Sequence, residues 1–228
     1  MSKLELHAHT AECDLVADLG GAELVRLYHA KGYSGMVITD HYFSLFYEWF
    51  REELATATHK ETVKRYLRGY YAAREEGERL GFTVLCGAEV RFDHTVNDYL
   101  VYGLEEQDFY ELPLLNTLHN VDELLAILPD RAVVVQAHPF RNGMTVTNPT
   151  KLFGLEVYNG RTDAFRNQMA REFAAHYGCA MTSGSDTHRE KDIARGGITT
   201  AHAIRCAQDL VSVLRVGEYH LITTEEKA

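Results

Sequence analysis

Near the amino terminus His7 and His9 are separated by one alanine in the run His7-Ala8-His9-Thr10. In an extended strand residues i and i+2 project to the same side, so both imidazoles can reach one cation while Ala8 packs on the other face. That spacing suggests metal ligation. Alone it is a weak signal, and its weight comes from repetition. Asp40-His41 follows the apolar run Gly35-Met36-Val37-Ile38-Thr39, and Glu89 follows Phe82 to Cys86. His138 ends the run Arg131 to Ala137, with Pro139 behind it to break the strand, and Asp186-Thr187-His188 follows Cys179 to Ser183. In each case an apolar strand delivers an acid or an imidazole at its exit.

Eight such groups, His7, His9, Asp40, His41, Glu89, His138, Asp186 and His188, would be costly to hold together in a low-dielectric pocket. Neighbouring carboxylates repel and buried imidazoles lose their protons. Divalent metals remove that cost. The mixture of nitrogen and oxygen donors suits zinc, manganese or iron, and the set is too large for one ion, which implies two or three ions sharing carboxylate bridges. The competing reading makes individual members capping or hydrogen-bonding residues.

The elements needed to position these groups are readable. Helical spacing runs over Ala22 to Lys31, ending on Gly32, and over His59 to Leu80, ending on Gly81. It recurs around Val121 to Leu128, from Ala164 to Tyr177 with Gly178 as its stop, and around Ala207 to Arg215. Asp98 to Gly103 alternates like a strand and is introduced by its carboxylate, Gly154 to Gly160 is a short strand and turn, and Gly197 to Ala201 and Leu221 to Thr223 close the chain. About seven strands alternating with helices predict an α/β fold with a parallel sheet, and in closed barrels of this sort functional groups gather at the carboxyl edge of the strands. The aromatic stretch Tyr42 to Phe50 reads as core or helix start, or as a pocket wall.

The 228 residues are expected to form a single domain, 1–228, with 46% apolar and 25% charged residues. A formal charge of −10 disfavours a nucleic-acid polyanion tracking across the surface, yet it is compatible with a small anionic substrate, because bound cations reverse the local sign. No apolar run is long enough for a membrane span and no cationic leader precedes one, so the expected partner is not a membrane and the expected location is the cytoplasm. Cys13, Cys86, Cys179 and Cys206 form no C-x-x-C pair and read as reduced thiols, Cys13 being the one nearest the histidine pair.

Together HAHT, ITDH, GAEV, AHP and GSDTH resemble the PHP family, the phosphoesterase domain of polymerases and histidinol phosphatases, over most of the chain from residue 3 to about residue 200. The resemblance implies a distorted (β/α)7 TIM-like barrel of PHP type with a di- or trinuclear metal centre that hydrolyses phosphate esters. Carried over, His7, His9, Glu89 and Asp186 resemble the ligands of one ion. Glu89 and His138 resemble part of a second site, with Glu89 bridging, and His41 and His188 resemble ligands of a third. Two positions depart from the pattern. Asp98 stands where many members have a histidine, with His94 as a rival, and Cys13-Asp14 stands where others have a histidine or the aspartate of an S-D-G turn, leaving Asp14 to complete the third site.

The expected chemistry is hydrolysis of a small phosphate monoester, histidinol-phosphatase-like, by a metal-activated hydroxide. Asp40 would orient His9 or a ligand water, Arg141 and Arg161 would grip phosphate or else form surface salt bridges, and His188 or His41 would protonate the leaving group. Three alternatives stand beside it: a phosphodiesterase or exonuclease acting on nucleotide or oligonucleotide ends, a metal-dependent amidohydrolase, and a non-catalytic metal-binding module. Amidohydrolases often bridge two ions with a modified lysine, and none of the lysines at 3, 31, 60, 64, 151, 191 and 227 reads as a strand exit.

Overall fold

The computed structural model describes residues 1–224, so Lys227 lies outside the described residues. Its strands are β1 (Ser2–Glu5), β2 (Gly35–Ile38), β3 (His41–Tyr42), β4 (Thr83–Arg91), β5 (Asp98–Leu104), β6 (Val133–Gln136), β7 (Gly154–Asn159), β8 (Ala180–Gly184), β9 (Gly196–Thr200) and β10 (His220–Thr223). They form a ten-stranded sheet in the order β10-β9-β1-β2-β4-β5-β6-β7-β8, with β3 paired to β4. The sheet curls into a nearly closed, distorted TIM-like barrel. At the seam Ser183 Oγ donates to the Ile222 carbonyl at 2.5 Å and accepts from Gly197 N at 3.2 Å, and Ser185 Oγ accepts from Gly196 N at 2.8 Å.

A wholly parallel sheet is not what forms. β1, β2 and β4 are parallel, as are β6, β7 and β8, but β5 runs against both β4 and β6, and β9 runs against β1 and β10. The reason is connection length. Residues 92–97 are too few for a parallel crossover, which takes a dozen or more residues. Reversal puts Asp98, the first residue of β5, on the rim where the parallel strands end.

Around the sheet lie α1 (Gly21–Ala30), α2 (Ser44–Trp49), α3 (Arg51–Leu54), α4 (His59–Tyr66), α5 (Arg68–Leu80), α6 (Glu106–Glu111), α7 (Val121–Ile127), α8 (Ala164–Tyr177) and α9 (Ala207–Val216). Gly81 and Gly178 both cap helices at φ 68°, the left-handed stop their positions predicted. The single helix expected over His59 to Leu80 is two, because Leu67 leaves the helical range at ψ 7°. Thr58 starts α4 with a capping box to Glu61.

The apolar residues divide into two cores. One packs helices against the outside of the sheet. The other gathers inward residues of several strands, among them Leu4, Val37, Leu85, Leu100 and Val135, with Leu210, Val211 and Leu214 of α9. α9 thus plugs the barrel at the end where the parallel strands begin, leaving the opposite rim for polar groups. No helix among the described residues is long and apolar enough to cross a membrane.

Candidate metal centre

Beyond β1 the His7-Ala8-His9 segment stays extended because both of its edges are paired. Thr39 N donates to the Ala8 carbonyl at 2.9 Å, His9 N to the Thr187 carbonyl at 3.0 Å and Thr187 N to the His7 carbonyl at 3.2 Å. Both imidazoles are fully buried. Glu89 reaches the same space from within β4, flanked by His41 of β3, so it is an inward residue of a long strand rather than an exit residue. β4 runs past Glu89 because β3 and β5 continue to pair with it there.

The distances define one continuous cluster. His7 Nε2 lies 3.4 Å from Glu89 Oε1 and 3.8 Å from Asp186 Oδ1, and His9 Nε2 lies 3.4 Å from Glu89 Oε2 and 3.5 Å from Asp186 Oδ1. On one flank His138 Nε2 is 3.1 Å from Glu89 Oε1 and 3.8 Å from Asp98 Oδ2. On the other, His41 Nε2 is 2.9 Å from Glu89 Oε2, its Nδ1 contacts Asp14, and His188 Nε2 is 3.5 Å from Asp14 Oδ2. Donor atoms close enough to share an ion fall into four overlapping groups: His9, Asp14, His41 and His188; His7, His9 and Glu89; His7, His138 and Asp186; and Glu89, Asp98 and His138. The structure brings together His7, His9, Asp14, His41, Glu89, Asp98, His138, Asp186 and His188. His94 it does not: that residue is exposed in the β4–β5 turn at φ 70°.

Whether these residues suit metal ions can be judged from their unsatisfied atoms. His7 Nε2, both ring nitrogens of His9 and His138 Nδ1 are buried without a hydrogen-bond partner. Buried polar atoms are nearly always paired, and the orphaned nitrogens of His7 and His9, which face Glu89 and Asp186, fit a cation between them. The backbone agrees. His138 at φ 30° and Asp186 at φ 55° sit in the left-handed region that non-glycine residues avoid, a strain tolerated where side-chain aim matters.

Charge without cations is balanced by protons. Burial would lower the pKa of His41, but Glu89 and Asp14 more than offset it and push it up to about 10. His7 is likewise raised against its burial, by Glu156, Glu89 and Asp186. His9 is pushed down to about 3 by burial and by the neighbouring His188 and His41.

Several roles differ from those expected. Asp40 does not touch His9: its oxygens accept from Thr10 N at 2.6 Å and Thr10 Oγ1 at 2.8 Å, and burial raises its pKa to about 8 against those bonds. It pins the turn after the histidine pair instead. Arg141 and Arg161 do form ion pairs, with the buried Asp186 of the centre, and Arg161 stays 37% exposed. Arg141 contacts Asp186 Oδ2 and Asn159 Oδ1, and Arg161 Nη1 lies 3.7 Å from Asp186 Oδ1 and donates to His188 Nδ1 at 2.6 Å. Cys13 turns into the core. The aromatic stretch splits: Tyr42 and Phe46 are core, whereas Phe43 meets His41 edge-on at 4.8 Å and carries Trp49 and the Arg91 guanidinium.

Sequence reasoning missed two carboxylates. Glu156 of β7 holds His7 Nδ1 at 2.8 Å and accepts from His138 N at 3.0 Å and Asn159 Nδ2 at 2.9 Å, so it orients both ligand candidates. Glu5 accepts from His7 N at 2.9 Å, Ser185 N at 2.8 Å and Tyr28 OH at 2.8 Å, tying the start of the site to its end. The available signal was an acid inside an otherwise apolar strand.

Comparison with known proteins gives a family-model match described as PHP-associated over residues 165–219. No curated protein matches the chain. Among solved structures, a two-domain protein from Bacteroides vulgatus containing a predicted PHP-like metal-dependent phosphoesterase superposes with TM-score 0.67 at 16% identity, covering 97% of this chain and 64% of that one. The chain therefore spans less than two thirds of that protein. PsfC from Pseudomonas syringae gives TM-score 0.66 at 16% identity, covering 98% of this chain and 91% of that one. An amidohydrolase from Chromobacterium violaceum, with bound sulfate and no metal, gives 0.55 at 14%, covering 96% and 98%. The barrel is the PHP-type fold, and both comparisons support the resemblance read from the five motifs.

Proposed function

We propose that this chain of PHP-type fold is a metal-dependent hydrolase of a small, histidinol-phosphatase-like phosphate monoester, working with two or three divalent ions of zinc, manganese or iron. The observation that carries the reading is the set of orphaned imidazole nitrogens of His7 and His9 facing Glu89 and Asp186, with His138 Nε2 3.1 Å from the same Glu89 and two arginines touching the same aspartate. His7, His9 and Glu89, with Asp186 within 3.5 to 3.8 Å of both imidazoles, would hold one ion, Glu89, Asp98 and His138 another, and Asp14, His41 and His188 a further one. Such ions supply charge neutralisation at phosphorus and an ionised water at neutral pH.

The chain's own residues do the rest. Glu156 keeps the His7 Nδ1 proton in place, so that Nε2 faces the centre. Arg141 and Arg161 have planar donor forks beside Asp186, suited to phosphate oxygens. His41, 12% exposed, is the ligand candidate nearest solvent, and whichever of His41 and His188 is not bound to metal would return a proton to the departing alcohol. The expected site of action is the cytoplasm, on a soluble small molecule.

The fold likeness to an amidohydrolase keeps amide hydrolysis as the second reading. No described lysine is buried, so a lysine bridging two ions has no candidate there. A panel of phosphate monoesters, phosphodiesters, nucleotide ends and amides, assayed under each metal, separates the readings. Monoester turnover that vanishes in Asp186→Ala is expected. Turnover that survives Asp186→Ala, or a panel in which only amides or diesters react, overturns the assignment.

A further inference from the structure

Beside the metal centre lies a cavity of about 790 Å³, between the start of α8, the turn at residues 190–192 and the last described residues Thr223 and Thr224. Its volume is that of a small-molecule site. Arg161 forms the shared wall: the side chain that lines the cavity also contacts His188 and Asp186. Arg171, Lys191 and Arg195 line the cavity as well. Arg171 and Lys191 are exposed, and their side chains make no hydrogen bond or ion pair among the described residues.

Two acids also line it, and both are engaged. Asp163 caps α8 by accepting from Arg166 N at 3.0 Å and pairs with the Arg166 guanidinium. Asp192 accepts from Arg189 N at 3.0 Å and His188 N at 3.3 Å. A concave surface rich in cations, in a protein of net charge −10, concentrates anions locally.

We propose that this cavity takes a second acidic group of the substrate, a carboxylate or a further phosphate, while the scissile phosphate sits at the metal centre on the other side of Arg161. The inference rests on the phosphoesterase reading. It goes beyond it by naming the substrate class, a phosphate ester with an additional anionic end.

The test uses the metal-loaded full-length protein and a series of alkyl phosphates of two to six carbons, ending in methyl, carboxylate or phosphate. At the best chain length KM should be about tenfold lower for the acidic ends than for methyl, a scale set by charge-assisted hydrogen bonds. The double variant Arg171→Gln/Lys191→Gln should erase that preference and leave kcat and the methyl-ended esters unchanged, and added salt should erode it in the wild type. Equal KM for all ends at every length, or a preference indifferent to the double substitution, overturns the proposal. If no ester of the series is hydrolysed, the phosphoesterase reading fails. Calorimetric titration of the matching phosphonates then decides the cavity by the same comparison.

Discussion

At His7 one ring nitrogen is held by Glu156 at 2.8 Å and the other is turned, unpaired, toward Glu89 and Asp186. Ligand imidazoles are commonly oriented in this way, and loss of the orienting group weakens metal binding about 10–100-fold. Calorimetric titration should show that loss in Glu156→Ala, with Glu156→Gln nearer wild type because an acceptor oxygen remains. Equal affinity in all three proteins would remove Glu156 from the site. Asp98 makes a separate case. It lies directly across from Arg91 in the antiparallel register and is gripped through Oδ1 at 2.6 Å and through Oδ2 at 2.7 Å, the second being the oxygen that lies 3.8 Å from His138. A cation held there would share that oxygen with a guanidinium and be repelled by its charge. Metal titration should therefore find the weakest-bound ion tightened in Arg91→Gln and lost in Asp98→Asn; identical loading in both variants would place no ion at Asp98.

Between β8 and the histidine pair the fit is tight. A Cβ on Gly184 would lie 2.4 Å from His7 Cβ and 2.6 Å from Glu156 Oε1. Gly184→Ala must push those side chains apart, and denaturant unfolding should show a loss of roughly 1–3 kcal/mol with weakened metal uptake. A variant as stable as wild type would mean that the strand gives way freely. At this scale the sequence shows clearly where strands end, because apolar runs give way abruptly to polar residues at Asp40, His138 and Asp186. Other features were hidden for physical reasons. The break at Leu67 interrupts no apolar period, and the reversal of β5 follows from a short loop whose consequence appears only when register is known. Glu156 acts on a residue 149 positions away, and nothing in its neighbours Leu155 and Val157 hints at that partner. Asp40, adjacent to His41 in the motif, looked like part of the chemistry but serves the turn at Thr10.

Across the whole molecule, the barrel brings residues from position 7 to position 188 to one rim, and α9 closes the other end. Cations bound there join loops that are otherwise tied mainly by hydrogen bonds. Binding to the folded state alone adds about 2.7 kcal/mol at a hundredfold excess over Kd, so the melting temperature should rise with added zinc or manganese and fall with chelator. A melting temperature indifferent to both would be at odds with ions held by these residues. The most direct measurement is an anomalous-difference map from crystals grown with manganese. The account predicts peaks within coordination distance of His7 Nε2, Glu89 and Asp186, and peaks confined to the surface, or none at this rim, would contradict it.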